Sequence, residues 1–170
     1  MLITTSRKPS QKTRRFSQIL RHIFNIEYIN RGKTSMNKLM IHAKNMDVTK
    51  IIIVSELRGN PSHIDIFDIS DNDPILSLNI SVNLPDTKNR VKIKRDDLSF
   101  KNSISDLDCL SEIFDIKKED ETKNLTNCMC IDSVNDKITI SFIEQDGTLM
   151  DFKIYVSGYK VNISNTIQLL

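Results

Sequence analysis

Apolar residues in the first half of the chain follow two different periods, which separate predicted strands from predicted helices. Short apolar runs predict strands at residues 2–5, 28–29 and 51–54, and the continuous β-branched run of the last is typical of a strand buried on both faces. Spacings of three and four residues predict two helices between these strands, the second capped by Ser35 and the first with Pro9 in its first turn. The helices present Phe16, Ile19, Leu20 and Ile23, then Met36, Leu39, Met40 and Ala43.

Predicted strands dominate the rest of the chain. A turn at residues 58–61 leads into a strand over 63–69, and a second turn at 71–74 leads into an alternating strand over 76–84. The alternating pattern partly restarts at Val91 and Ile93, and a helix at 107–114 and an acidic loop at 117–121 follow. Three strands over 128–134, 137–144 and 148–156 follow, with a last strand expected over 161–170. The order predicts an α/β domain over 1–170, made of two α/β halves with mixed sheets, 1–85 and 86–170.

Charge is distributed very unevenly along the 170 residues. The net charge is only +2, yet residues 1–33 contain eight Lys or Arg and one acidic residue, while the remainder contains 16 basic and 21 acidic residues. The basic residues of the first helix fall largely off its apolar stripe, so one face can pack while the other binds. A localised basic surface is what binding to a phosphate backbone requires. A basic face that is merely solvated is the alternative.

Several other classes of function find no support in the sequence. No apolar run reaches the roughly 18 residues of a membrane span, and no secretory signal is expected. Three cysteines and three scattered histidines indicate neither a disulfide framework nor a metal site. The segment NRGKT at 30–34 resembles a phosphate-binding loop, but Glu27 stands where that motif requires glycine. We therefore expect a soluble, cytoplasmic protein without a cofactor, a metal, a membrane partner, a small-molecule substrate or a catalytic residue.

The order of motifs resembles the Brix domain family of Imp4-like ribosome biogenesis proteins. The resemblance begins with ITTSRKPS at 3–10, continues with TRRF at 13–16 and YINRGK at 28–33, and includes SELRGNP at 55–61. Fainter similarity follows at 136–142, Tyr155 and Gly158. Because the chain is little more than the domain itself, it looks like the short archaeal version. The resemblance implies a fold similar to the anticodon-binding domain of class IIa aminoacyl-tRNA synthetases.

The resemblance also implies a function without catalysis: binding of ribosomal RNA precursors during rRNA processing and subunit assembly, with ribosomal or assembly proteins as further partners. The cations and hydroxyls of the amino-terminal motifs are the expected RNA-binding residues. They are Ser6, Arg7, Lys8, Ser10, Lys12, Arg14, Arg15, Arg31, Lys33 and Arg58. Helix capping is an equal alternative for Ser6 and Ser10. Few exposed aromatic residues are expected, so little base stacking is predicted.

Two other functions fit the same pattern. In the first, the acidic carboxyl half or the alternating strand 76–84 docks a protein partner while the basic end stays solvated. In the second, the same fold binds transfer RNA without contacting ribosomal RNA. An exposed apolar edge strand would favour protein docking.

Overall fold

The computed structural model describes residues 1–85, 91–119, 125–135 and 137–162, which form one ten-stranded sheet with helices on both faces. The strands are β1 Leu2–Thr5, β2 Glu27–Tyr28, β3 Lys50–Leu57, β4 Asn60–Asp68, β5 Leu76–Asn83, β6 Ser99–Asn102, β7 Lys117–Lys118, β8 Cys128–Val134, β9 Lys137–Ile143 and β10 Leu149–Val161. The helices are α1 Gln11–Phe24, α2 Met36–Asn45 and α3 Cys109–Phe114.

The strand order β2-β1-β3-β4-β5-β10-β9-β8-β6-β7 contains the same connectivity twice. β1 pairs in parallel with β2 and β3, and β6 pairs in parallel with β7 and β8. Each parallel unit continues as an antiparallel meander, β3-β4-β5 in one half and β8-β9-β10 in the other. Antiparallel pairing of β5 with β10 joins the halves. The predicted α/β class with mixed strand directions is confirmed, and the halves share one sheet.

Two hydrophobic clusters cover the two faces of this sheet. The side chains of β3 alternate between them: Ile52 and Val54 belong to the larger cluster with α1 and α3, whereas Ile51 and Ile53 pack with Leu39 of α2. The prediction that residues 51–54 are buried on both faces is therefore confirmed. In the smaller cluster α2 packs mainly over β1 and β3.

The segment around Val91 and Ile93 differs from the sequence prediction. Residues 91–94 form no strand, because two of their backbone N–H groups donate to side chains: Lys92 to Glu144 Oε1 at 3.1 Å and Lys94 to Asn127 Oδ1 at 2.8 Å. The strand of this region is β6, several residues later.

Smaller differences lie at element ends. Pro9 precedes the cap of α1 and so lies outside its first turn. Lys117–Lys118, expected in a loop, form β7 because they pair in parallel with β6. β10 extends to Val161, and Asn162 follows it. The rest of the strand expected over 161–170 lies outside the described residues. Residues 120–121 of the acidic loop lie outside them as well.

Candidate nucleic-acid interface

Three loops of the amino-terminal half meet at one edge of the sheet. β1, β2 and β3 run parallel, so the loops that follow them lie at the same edge. These loops cover residues 6–10, residues 29–35 and the turn at residues 58–59. The backbone N–H of Ser6 donates to the carbonyl of Val54 at 2.7 Å, which continues the β1–β3 pairing to the start of the first loop.

Ser10 ties the first of these loops to the β3–β4 turn. It is the N-cap of α1, and its hydroxyl oxygen accepts from the backbone N–H of Thr13 at 3.1 Å. The same hydroxyl donates to the Gly59 carbonyl at 2.8 Å, and the Ser10 N–H donates to Glu56 Oε2 at 2.8 Å. The fold thus uses the polar groups of Ser10 internally, which is the capping role considered from the sequence.

Glu56 lies on β3, two residues before the turn at residues 58–59, and the three loops themselves, all of whose residues are described, contain no acidic residue. Burial raises the pKa of this carboxyl, but hydrogen bonds from Thr13 and Ser10 outweigh burial and hold the pKa below its ordinary value. Its charge faces the positive end of the α1 dipole. The acid is therefore engaged by the helix start.

Cations surround this anchored helix start. Arg7 and Lys8 are exposed in the first loop. Arg31 comes from the second loop, where its Nε donates to the Thr34 carbonyl at 3.3 Å. Partial burial and then the charge of Arg7 lower the pKa of Arg31, which shows that the two loops bring like charges close together. A bound anion would offset this electrostatic repulsion.

The first turn of α1 and the β3–β4 turn extend the positive surface. Lys12 Nζ donates to Asn60 Oδ1 at 2.7 Å, and Arg14 Nε donates to the Pro9 carbonyl at 3.3 Å. We use the name basic edge for the cations that these loops and the start of α1 bring together. They are Arg7, Lys8, Lys12, Arg14, Arg31, Lys33 and Arg58.

Arg15 lies elsewhere. It is half-buried, and its guanidinium donates to the Pro85 carbonyl at the junction between the two halves. Neighbouring positions on a helix point about 100° apart, so the adjacent Arg14 and Arg15 serve different surfaces. The structure therefore separates two arginines that the sequence motif places together.

The β3–β4 turn has an unusual residue in a left-handed conformation. Arg58 and Gly59 have φ angles of +51° and +79°, as in the two central positions of a type I′ hairpin. Glycine and asparagine adopt such angles readily, whereas an arginine is strained there. In the corresponding β8–β9 turn of the other half, Asn135 holds the first central position at φ +52°.

Glu56 and Gly59 belong to the candidate site through their contacts with Ser10, which sequence reasoning missed. Both lie in the SELRGNP segment, whose turn was recognised, but their contacts with Ser10 join residues more than 45 positions apart. The sequence of a hairpin does not indicate which residue so far away along the chain will contact it. The SELRGNP segment contains both residues, but no local pattern in it indicates a contact with the cap of α1.

The described residues contain no helix long and apolar enough to cross a membrane. Within the same ranges, His, Cys, Asp and Glu residues form no group of three or more that could hold a metal ion. Cys128 and Cys130 share one strand face, and the Cys130 thiol donates to Cys128 Sγ at 3.5 Å.

Comparison with curated proteins finds archaeal relatives in sequence. The chain is 45% identical over 84 residues to a probable Brix domain-containing ribosomal biogenesis protein of Methanococcus maripaludis, and 50% identical over 68 residues to one of Methanothermobacter thermautotrophicus. The chain spans 48% and 41% of the length of these relatives, about half. With the corresponding protein of Methanococcoides burtonii it shares 27% identity across 94% of this chain and 96% of that protein. No family model matches the chain.

Solved structures extend the similarity to the fold. The crystal structure of an archaeal Imp4-like protein matches with a TM-score of 0.74 and 27% identity, covering 95% of this chain and 99% of the other. A probable ribosomal biogenesis protein from Aeropyrum pernix shares the fold with a TM-score of 0.67 at 22% identity, over 91% and 93% of the two chains. The expected likeness to an anticodon-binding domain stays a prediction. The resemblance of this chain to the Brix domain family, and to its archaeal members in particular, is thereby confirmed in sequence and in fold.

Proposed function

We propose that this chain is a ribosome biogenesis factor that binds ribosomal RNA through the basic edge during rRNA processing and subunit assembly. The observation that carries the proposal is the convergence of cations from three separate loops around an anchored helix start, where the single local carboxylate is already hydrogen-bonded. The names of the relatives as ribosomal biogenesis proteins support it. Its partners are a ribosomal RNA precursor and, within an assembling subunit, ribosomal or assembly proteins.

Binding of this kind requires positioning of charge and no catalytic step. Arg7, Lys8 and Lys33 are exposed and can reach phosphates directly, while Arg31 provides a second row beside Arg7. Neutralising each phosphate releases condensed counterions. Ser10 acts by holding the loop to the β3–β4 turn, and Ser6 lies beside Arg7 where its hydroxyl can add a contact to the RNA backbone. Because the A-form major groove is too narrow to read, specificity comes from RNA shape and unpaired segments.

Arg58 gives a second, independent indication that the basic edge is functional. Non-glycine residues in the left-handed region cost about 1–2 kcal/mol and are found where the surroundings or the function demand them. The equivalent turn uses Asn135, a residue that adopts this conformation easily. An arginine in this strained position is explained if its charge contributes to binding at the rim of the basic edge.

The salt dependence of RNA affinity tests the proposal. Replacing Arg7, Lys8, Lys33 and Arg58 with Gln should reduce the slope of log affinity against log salt by about 0.7 for each lost phosphate contact with single-stranded RNA. A charge-matched control replaces Lys92, Lys94, Lys117 and Lys137 of the carboxyl half and should leave the slope unchanged. Equal effects of the two quadruple variants would show only a general charge effect and would contradict a localised interface.

Crosslinking in cells identifies the RNA. Enrichment of a discrete region of precursor ribosomal RNA supports the assembly role, and its loss in the basic-edge variant assigns the contact to this surface. Enrichment of transfer RNA instead would overturn the proposal. The alternating strand over 76–84, which is β5, has no free edge for a protein partner, because it is paired with β4 on one side and β10 on the other. Its apolar side chains lie in the core.

A further inference from the structure

The middle of the sheet has an uncovered polar face. On β4, β5, β9 and β10 one side faces the larger core cluster, while on the other side the cluster of α2 covers β1, β3 and the Phe67 end of β4 and includes no described residue of β5, β9 or β10. The uncovered side presents hydroxyl, amide, imidazole and ammonium groups. Its main residues are His63, Asp65, Ser77, Asn79, Ser81, Thr139, Ser141, Lys153, Tyr155, Ser157 and Lys160. We call this surface the open face.

An aromatic ring stands near the centre of the open face. Tyr155 lies on β10 and is 37% exposed. Its direct cross-strand neighbours are Ser81 on β5 and Thr139 on β9, both small. Neighbours of this size leave the face of the ring accessible to a flat ligand. Lys153, two residues along the same strand, lies on the same side and is half-buried.

The polar groups of β4 and β5 are held in a fixed network. Asp65 Oδ1 accepts from the Ser77 hydroxyl at 2.6 Å and lies 3.0 Å from His63 Nε2. His63 Nδ1 lies 2.8 Å from Asn79 Oδ1. The carboxylate at the centre of these strands is therefore paired, so it offers less repulsion to an anionic ligand than a free acid would.

The open face is continuous with the basic edge. His63 pairs with Ser55 on β3, directly before Glu56 and the Arg58 turn, and continues across the sheet to Asn79. The Ser157 hydroxyl donates to the Asn79 carbonyl at 3.3 Å, which brings the strip onto β10 beside Tyr155. The strip ends at Asp132 on β8, which neighbours Thr139.

We propose that an unpaired RNA segment leaving the basic edge crosses the open face and stacks a base on Tyr155. This inference rests on the proposed function and adds to it a site for unpaired bases. Single-stranded RNA is bound by sheets that combine an exposed aromatic ring with nearby cations and hydrogen-bonding groups. A protein partner would bury apolar residues at the centre of its interface, whereas the cross-strand neighbours of Tyr155 are polar and the exposed apolar side chains Val134 and Leu149 lie at the ends of β8 and β10. The sequence predicts little base stacking, and this proposal names one position where a base can stack.

Binding of two RNA probes to the full chain tests the inference. Tyr155→Ala should weaken binding of a short oligouridine about 5- to 150-fold, the range expected for loss of one stacked base, and should leave binding of an RNA duplex unchanged. Tyr155→Phe keeps the ring and should keep the affinity. Ile41→Ala removes a similarly exposed apolar side chain from α2, 60% exposed, and is the matched control.

The outcomes separate this inference from the proposed function. Neutralising the basic edge should weaken both probes and reduce their salt dependence, whereas Tyr155→Ala should change oligouridine affinity without changing the slope. An unchanged oligouridine affinity in Tyr155→Ala, with the basic-edge variant still weakened, overturns the open-face site alone. Equal loss for oligouridine and duplex also overturns it, because duplex RNA cannot stack a base on the ring. If the basic-edge variant binds both probes normally, the proposed function itself fails.

Discussion

The two halves of the molecule share one topology and differ in what they present at the equivalent edge. In the amino-terminal half, the loop after β1 contains Arg7 and Lys8 and leads into α1, a helix of 14 residues. In the other half, the loop after β6 contains Asp106 and leads into α3, a helix of 6 residues. Sheet order and strand direction are the same. The connectivity therefore decides where loops meet, and the loop residues decide what can bind there.

The starts of the two helices show the same contrast in detail. Ser10 caps α1 with its side chain, whereas the side chain of Asp108, at the start of α3, accepts no capping hydrogen bond. The Asp108 carboxylate instead accepts from Asn102 at 2.8 Å and pairs with Lys118 at 3.1 Å. The basic edge of the amino-terminal half has cations available for a ligand, whereas at the start of α3 the acid Asp108 pairs with the cation Lys118. Of these two helix starts, we infer that the first is better suited to a polyanion.

The largest expected change in stability tests whether the two halves depend on each other to stay folded. The rings of Phe24 at the end of α1 and Phe114 at the end of α3 are stacked, with centroids 3.9 Å apart and planes at 14°. Phe24→Ala should lower the free energy of unfolding by about 3–5 kcal/mol, because both rings are buried. Urea denaturation followed by circular dichroism measures the loss.

A double-mutant cycle with Phe114→Ala adds the coupling between the halves. A coupling free energy of about 0.5–1.5 kcal/mol is expected for a stacked pair. Unfolding should remain a single transition in every variant, since β5 and β10 are also paired. Two separate transitions, or single-variant losses that add fully, would show that the halves are energetically independent.

A smaller effect is expected at the helix cap. Ser10→Ala should destabilise the protein by about 0.5–2 kcal/mol, because the N–H of Thr13 loses its acceptor and the Gly59 carbonyl loses a donor. Ser105→Ala is the matched control in the corresponding loop of the other half, where the residue is exposed and should change stability by less than about 0.5 kcal/mol. Chemical denaturation compares the two, and equal losses would contradict the anchoring role of Ser10.

The hairpin turns offer a reciprocal exchange. Arg58→Asn should raise the free energy of unfolding by about 0.5 kcal/mol, because asparagine tolerates the left-handed conformation, while RNA affinity falls. Asn135→Arg should lower stability by a similar amount and leave RNA affinity unchanged. Thermal unfolding and RNA titration measure both quantities. A gain of stability without any loss of affinity would remove Arg58 from the interface.

The smallest effect is a dependence of stability on pH. The folded protein holds the pKa of Glu56 below its ordinary value of 4.5, so the stabilisation is present above that pH and is lost as the pH falls through the folded pKa. Glu56→Gln should therefore unfold with a weaker pH dependence below about pH 4.5 than the native protein. In the other half, hydrogen bonds from Asn102 and then Lys118 lower the pKa of Asp108. Acid should therefore still destabilise the Glu56→Gln variant in part, through Asp108. If the urea midpoints of the native protein and of Glu56→Gln change equally with pH, this role of Glu56 is contradicted.

Most elements could be predicted from local patterns. The strand Leu2–Thr5, the helix capped by Ser35 and the doubly buried run at 51–54 follow from side-chain period and capping chemistry, which act over a few residues. The partial restart of the alternating pattern at Val91 and Ile93 does not lead to a strand, because the backbone there bonds to side chains 33 and 52 residues away. The boundary between halves near Pro85 and the RNA-binding residues stay predictions.

The sequence alone determined the chemistry available at the basic edge: an excess of cations in the first 33 residues, small hydroxyl residues among them, and motifs similar to the Brix domain family. Only the tertiary structure decided their arrangement. Parallel pairing of β1, β2 and β3 brings three loops to one edge, Ser10 joins the first to Gly59, and Arg15 is withdrawn to Pro85. The physical reason is that charge is a property of single residues, whereas its position depends on strand pairing between segments far apart in the chain.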